Sequence, residues 1–483
     1  MRILLATLSI EPDSRFENDV NSAYPLGLTY LQSVLEKNGN EVKLLFLNNF
    51  DYEYSDRIFF NSVELFKPQI VGFQIFSMNR TSTFRAIEKM IIYYPNINII
   101  IGGIHTSVMY EQIINKYPNV IAILGEGEHT IIDLVETFKN NNNLEEIKGI
   151  AFFKENQIFQ TKPRDLIDNL DSIPFPKHET FFDDQPNRTI GHIITSRGCP
   201  FDCSFCCLKI ISKHNYRKRK IEEVVKEIKY LKLKYPRIKH IQFHDDTFLL
   251  DNSRVIGFCK MIIKEKLNLT FECSARVKPV SSEMFYWMKK ANFKKIMFGL
   301  ETGSEKLLKS IHKNINKHDV IKLFTILKPF NFVVTTFLMC GFPGESDDTI
   351  TETIKLVQET QRISYNWIAG VGKLWVYPGT EVYTLMKNSG YINDDFWLSD
   401  KQVPYYTVEH SLEDLIKFEN RIMDSVSIGR ILTIRGFRNH FLVMPLIVIK
   451  YIFHNKDIIM FILNTSNLYK NLRRFYKKIK RSI

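Results

Sequence analysis

Thr195-Ser196-Arg197-Gly198-Cys199-Pro200-Phe201-Asp202-Cys203-Ser204-Phe205-Cys206 sets three thiols at C-x3-C-x2-C, with Cys207 directly behind. So short a run can bring Cys199, Cys203 and Cys206 to one metal centre. Three thiolates can each hold one iron of a cubane cluster, which leaves the fourth iron open to a substrate. The competing reading is a closed zinc site, which wants four ligands, commonly as paired C-x2-C units. No second pair exists here, and His192, His214 and Cys207 are the candidate fourth donors. The remaining cysteines, Cys259, Cys273 and Cys340, are scattered, so the 7 cysteines form no disulfide framework and a reducing cytoplasm is expected.

Outward from this run the chain alternates strand and helix in two series. Downstream and including it, strands are predicted at Thr189–Ser196, His240–His244, Thr270–Ser274, Lys295–Leu300, Phe332–Met339 and Ile368–Val376, each followed by a helical pattern. Six such units suit a partial (β/α)6 barrel of the TIM type, with chemistry at the C-terminal ends of its strands. Upstream, short β-branched runs at Arg2–Ser9, Glu41–Leu47, Gln69–Phe76, Ile97–Gly102 and Val120–Leu124 alternate with helices such as Gly27–Asn38 and Thr81–Tyr94. That pattern predicts a doubly wound, Rossmann-like α/β sheet, whose ligands sit in the loops beyond the strand ends. Those loops carry Tyr24-Pro25-Leu26-Gly27, Ser77-Met78-Asn79, Gly102-Gly103-Ile104-His105 and Gly125-Glu126-Gly127-Glu128. The expected division is 1–144 for this sheet, 145–188 for a linker with a hairpin around Glu155-Asn156, 189–390 for the barrel and 391–483 for a mainly helical end.

The cysteine run resembles the hallmark of the radical S-adenosylmethionine superfamily, and the strand ends behind it agree in order. They are His244-Asp245-Asp246-Thr247-Phe248, Cys273-Ser274-Ala275-Arg276, Gly299-Leu300-Glu301-Thr302-Gly303-Ser304, Leu338-Met339-Cys340-Gly341-Phe342-Pro343-Gly344-Glu345 and Val376-Tyr377-Pro378-Gly379-Thr380. The resemblance implies a [4Fe-4S] cluster on Cys199, Cys203 and Cys206. It also implies S-adenosylmethionine held near Phe205, Asp245, Asp246, Arg276, Glu301, Gly341, Pro343, Gly344 and Tyr377. Taken singly, Gly341–Glu345 is a good turn and helix start, and Asp245-Asp246 an ordinary helix cap.

An N-terminal doubly wound unit ahead of such a barrel resembles the cobalamin-binding subclass of that superfamily. Cobalamin contacts are then implied at Leu26, Gly27, Ser77, Met78, Asn79, Gly102, Gly103, His105, Gly125, Glu126, Gly127 and Glu128. The Asp-x-His-x-x-Gly motif of cobalamin mutases, whose imidazole ligates cobalt from below, is missing; His105 and His129 do not stand in it. A dinucleotide is disfavoured because no Gly-x-Gly-x-x-Gly follows the first strand. The implied chemistry is reductive cleavage of S-adenosylmethionine to a 5′-deoxyadenosyl radical, hydrogen-atom removal from an unactivated carbon of a small or lipid-like substrate, and methyl transfer through cobalamin. Cyclisation or oxidation without methyl transfer is the runner-up. A reductant such as flavodoxin or ferredoxin is the implied partner.

The 45% hydrophobic and 24% charged residues describe a globular chain and exclude wholesale disorder or a polytopic membrane protein. The N-terminus enters a strand at once and shows no signal peptide. Of the net charge of +12, Arg430–Ile483 contributes +11, which leaves the rest nearly neutral. A basic catalytic groove for nucleic acid is therefore not expected. Leu468–Ile483 puts apolar residues at helical spacing among seven Lys/Arg. It can pack on the barrel, lie on an anionic membrane surface at the inner face, or bind an acidic partner such as RNA.

Overall fold

Two sheets, one mainly and one wholly parallel, follow each other in the chain and carry the architecture of the computed structural model, which describes residues 1–10, 24–183, 185, 187–364 and 367–431. The first sheet contains β1 (Arg2–Thr7), β2 (Glu41–Phe46), β3 (Ile70–Gln74), β4 (Asn98–Gly102), β5 (Val120–Ile123), β6 (Ile150–Lys154) and β7 (Gln157–Gln160), in the order β2-β1-β3-β4-β5-β6-β7. β1 to β5 run parallel, and β1, β3, β4 and β5 are mainly apolar on both faces, as a sheet covered by helices on each side requires, while β2 is a half-exposed edge. Helices Leu26–Lys37 and Glu128–Asn140 cover one face; Tyr52–Phe66, Arg80–Tyr93 and Ile104–Lys116 cover the other. The hairpin expected inside a linker extends this sheet instead: β6 pairs antiparallel with β5, and Glu155 and Asn156 make its turn with positive φ. The reason is that β5 is otherwise an edge whose backbone groups need partners.

The second sheet contains β8 (Ile190–Ile193), β11 (His240–Phe243), β12 (Thr270–Arg276), β13 (Phe293–Glu301), β14 (Val333–Cys340) and β15 (Trp367–Lys373), paired in chain order and all parallel. Between β8 and β11 a two-stranded ribbon, β9 (Ser196–Arg197) with β10 (Arg217–Lys218), brackets the cysteine loop. Alternate residues of each barrel strand pack outward against helices. In β14, Val334, Thr336, Leu338 and Cys340 are buried while Val333 and Phe337 are exposed.

Helix Leu412–Ile431 lies against β14, β15 and helix Asp347–Ile363, with Leu415 over Gly341 and Gln361 bonded to the Val426 carbonyl. Tyr406 and Trp397, in the segment that leads to this helix, are core residues. No helix among the described residues is long and apolar enough to cross a membrane. The basic stretch Leu468–Ile483, with its expected membrane or RNA contacts, lies outside the described residues.

Candidate functional site

The cysteine loop is fixed from both ends before any metal is considered. Gly198, just ahead of Cys199, sits at φ +88°, and a Cβ there would stand 2.0 Å from the Asn215 carbonyl oxygen. Only glycine lets the loop approach the chain leading into the far strand of the ribbon so closely. Its N–H is donated to Asp246 Oδ2 at 2.9 Å. Within the loop, Cys206 N–H donates to the Cys203 carbonyl, Ser204 N–H to the Ile311 carbonyl, and Glu381 N–H to the Ser204 carbonyl. Loops after three other barrel strands thus brace the cysteine run.

Burial pushes the thiols of Cys199 and Cys206 up, Cys206 to about 11, and the proximity of the other cysteines adds to it. Mutually repelling, desolvated thiolates are a donor set that a cationic iron–sulfur core satisfies. Of the candidate fourth zinc donors, His192 is turned away: its Nδ1 pairs with His244 Nε2 at 2.8 Å, and its ring meets Tyr24 edge-on.

Around this loop stand the groups expected to hold S-adenosylmethionine. Phe205 packs at 5.6 Å from Phe342 of the loop after β14. Arg276, at the end of β12, donates from Nη1 to Cys203 Sγ at 3.2 Å. Glu301 ends β13 at a register shift with φ +67° and pairs with Lys313 Nζ at 2.6 Å. Burial first, and then the neighbouring Cys207 thiol, push the Tyr377 phenol up. Gly341 and Gly344 donate their N–H groups to Glu345 and Glu409, so with Pro343 they shape the turn under Phe342. Asp245 differs from the rest. Both its oxygens are taken by Thr195 N–H, Thr195 Oγ1 and Ser196 Oγ, and burial raises its pKa to about 6. Its place is a strut between β11 and the strand that feeds the cysteine loop, whereas Asp246 reaches the cavity described next.

That cavity, of about 350 Å³, lies where the C-terminal ends of β1, β3, β4 and β5 face the cysteine loop. The strand order reverses between β1 and β3, the place where open α/β sheets bind ligands. Gly27, Gly102, Gly103 and Gly125–Glu128 line it from the first sheet; Ile194, Ser196–Gly198, Leu208, Arg217, His244 and Asp246 line it from the barrel side. Its wall is mainly apolar, with Leu5, Leu31, Phe73 and Ile131 among the lining side chains.

Gln74, also in the wall, has a buried Oε1 with no hydrogen-bond partner among the described residues. An apolar slot rimmed by glycines and holding an orphaned acceptor fits a large cofactor with amide side arms, as cobalamin has.

Five of the expected cobalamin contacts do not line this cavity. Leu26 is a core residue, and Ser77, Met78, Asn79 and His105 face the other way. Asn79 caps its own loop through Phe76 N–H and Thr7 Oγ1; Ser77 Oγ meets His105 Nδ1 at 2.9 Å. His105 stacks edge-on against Trp397, beside Arg80, which donates to the carbonyls of Ser77, Trp397, Ser399 and Lys401. The reason is the chain beyond the barrel: the Asp394–Lys401 segment claims that loop as its packing surface.

Glu126 and Glu128 line the cavity but act as anchors. Glu126 pairs with Arg197 and Arg217, and Glu128 with Arg197. Burial opposes the charge of Glu126, yet the two arginines outweigh it and hold the carboxyl below its usual range. Neither arginine was singled out from sequence. The available signal was charge complementarity between Glu126-Gly127-Glu128 and the ribbon residues Arg197 and Arg217.

Comparison with known proteins agrees with this layout. Residues 193–357 match the family model of the radical SAM superfamily, and residues 17–135 match that of the B12 binding domain. An uncharacterized methyltransferase of Pyrococcus horikoshii is 30% identical over 365 residues, covering 74% of this chain and 77% of its own. Among solved structures, the radical S-adenosylmethionine methyltransferase TsrM of Kitasatospora setae, with tryptophan and a SAM analogue bound, superposes with a TM-score of 0.67 at 16% identity, over 87% of this chain and 82% of that one. The cobalamin-dependent radical enzyme OxsB with aqua-cobalamin bound also gives 0.67, at 17% identity, over 81% of this chain and 62% of that one.

Proposed function

Since the chain belongs to the radical S-adenosylmethionine superfamily, in the branch that carries a B12-binding domain, we propose that it methylates an unactivated carbon of a small or lipid-like molecule. The observation that carries this reading is the shared boundary of the two halves. The cavity at the ends of the first sheet opens onto the loop that bears Cys199, Cys203 and Cys206. The cofactors, when bound, supply a 5′-deoxyadenosyl radical from S-adenosylmethionine at a [4Fe-4S] cluster and a methyl group carried by cobalamin.

The chain's own residues divide the work. The three cysteines hold the cluster. Phe205, Glu301 with Lys313, and the Gly341–Gly344 turn border the S-adenosylmethionine site. Gly27, Gly102, Gly103, Gly125, Gly127 and Gln74 would hold cobalamin, with Ile194, Leu208 and Phe73 supplying the apolar wall of the same cavity.

The barrel's concave face supports that substrate class. Phe337 is 46% exposed and Ile368 40%, and both point inward, where a closed barrel would be packed. Gly370 and Gly372 beside them add no side chain, and a Cβ at Gly372 would meet nothing within 4 Å. An apolar wall with free room favours a substrate with a hydrocarbon part.

The test is anaerobic reconstitution of the full chain with iron, sulfide and hydroxocobalamin. About four irons and one cobalamin per chain are expected, with 5′-deoxyadenosine released on reduction and lost in Cys203→Ala. With methyl-deuterated S-adenosylmethionine and a lipid extract, label should enter a carbon-bound methyl of product. Iron and deoxyadenosine without cobalamin or labelled product would replace methyl transfer by a cyclisation or oxidation. Tightly held zinc in place of iron would overturn the reading of the cysteines.

A further inference from the structure

Arg276 carries a charge for which the described polypeptide offers no carboxylate. It is 7% exposed, at the end of β12 on the concave face. The nearby acid, Glu301, is already matched to Lys313 at 2.6 Å. The guanidinium makes three contacts. Nη1 donates to Cys203 Sγ at 3.2 Å, Nη2 donates to the Lys313 carbonyl, and Cζ stands 3.8 Å from the centre of the Phe201 ring. Nε has no hydrogen-bond partner among the described residues. Buried cations are balanced by anions, and the anionic group within reach here is the cysteine set itself.

We propose that Arg276 is a positioning residue that sets the reduction potential of the cluster, through a charge-assisted hydrogen bond to the Cys203 sulfur. This rests on the reading of Cys199, Cys203 and Cys206 as cluster ligands. A thiolate-bound cluster becomes more negative by one charge when it takes one electron from a low-potential donor, and no bond forms or breaks in that step. A fixed cation a few ångströms away, in a site of low dielectric constant, stabilises the more negative state. N–H···S hydrogen bonds to ligand sulfurs act in the same direction. Phe201 covers one face of the guanidinium and keeps water from screening it, while the Lys313 carbonyl fixes the fork so that Nη1 stays on sulfur. Lys313 therefore serves twice, its ammonium neutralising Glu301 and its carbonyl aiming Arg276. The rival role for Arg276 is a partner for the carboxylate of S-adenosylmethionine, which leaves the cluster's own potential untouched.

The experiment is a redox titration of the reconstituted full-length protein, followed by electron paramagnetic resonance without S-adenosylmethionine, on the wild type, Arg276→Gln and Arg276→Lys. Binding of S-adenosylmethionine to the oxidised cluster is measured separately. The expected result is a midpoint at least tenfold less favourable for reduction in Arg276→Gln, about 59 mV lower for a one-electron couple. Arg276→Lys, which keeps the charge and loses the fork, should fall between. An unchanged midpoint in both variants overturns the proposal, and a tenfold weaker binding of S-adenosylmethionine beside it assigns Arg276 to that ligand. Should Arg276→Gln lose its iron, the lysine variant decides alone. A wild type that assembles no iron–sulfur cluster overturns the cysteine reading and this proposal together, and that outcome is seen before any variant is made.

Discussion

His105 is fully buried beside the Arg80 guanidinium and held neutral; burial first, and then that charge, push its pKa down to about 3 from an ordinary 6.5. The sign follows directly. The unfolded chain takes up a proton near 6.5 that the folded chain refuses, so the stabilisation is whole above that pH and is lost as pH falls towards 3. The slope is roughly 1.4 kcal/mol per pH unit inside the window. Between about pH 7 and about pH 5, urea unfolding should show the wild type losing about 2 kcal/mol that His105→Asn, which keeps a partner for Ser77, does not lose. Equal losses would mean that the site is wet and the imidazole free to charge. Residue types were legible in sequence here and directions were not. His105 stands in a glycine-rich loop that reads as a ligand loop, and nothing local says that its ring turns towards Trp397. Asp245 is similar, since an Asp-Asp pair at a strand end does not reveal which carboxylate braces the chain and which meets the cavity.

At the scale of elements, the strands were legible because parallel strands buried on both faces are nearly continuous apolar runs. Most predicted spans differ from the observed ones by one to three residues at an end, as in Lys295–Leu300 against Phe293–Glu301. The two-residue strands Ser196–Arg197 and Arg217–Lys218 were not legible, since they exist only by pairing with each other across the cysteine loop. Their contact predicts a sharp sensitivity. Gly198→Ala puts a methyl group against the Asn215 carbonyl in a left-handed conformation, and should cost on the order of 3 kcal/mol or more. It should also lower the iron bound after reconstitution, read as iron per chain. Gly372→Leu faces open space and should leave the melting temperature within a few degrees. By narrowing the barrel it should cut methylated product from a lipid extract several-fold, while S-adenosylmethionine cleavage without substrate persists. Unchanged product would remove the apolar wall from the substrate site.

The whole molecule is held at its functional seam by the ion pairs of Glu126 and Glu128 with Arg197 and Arg217, all largely buried. Removing one partner strands the other's charge, so Glu126→Gln and Arg217→Gln should each lose about 3 kcal/mol, and the double variant much less than the sum. Chemical denaturation of the four proteins gives that coupling. Cobalamin retained after gel filtration should fall in both single variants, because the same pairs wall the cavity. Additive losses would mean that the two side chains act independently of each other.

The three-thiol run, the barrel strands and the doubly wound sheet were legible in the sequence, because thiol spacing and hydrophobic period are local properties of the chain. How the folded faces meet makes Glu126 and Glu128 anchors, turns Ser77, Asn79 and His105 into packing groups, and brings Arg276 to Cys203. Glu126 and Glu128 find arginines 69 to 91 residues away, His105 meets Trp397 292 residues away, and Arg276 reaches Cys203 73 residues away. Which partner a buried polar side chain finds is set by how two independently folded faces meet, and no periodicity encodes that.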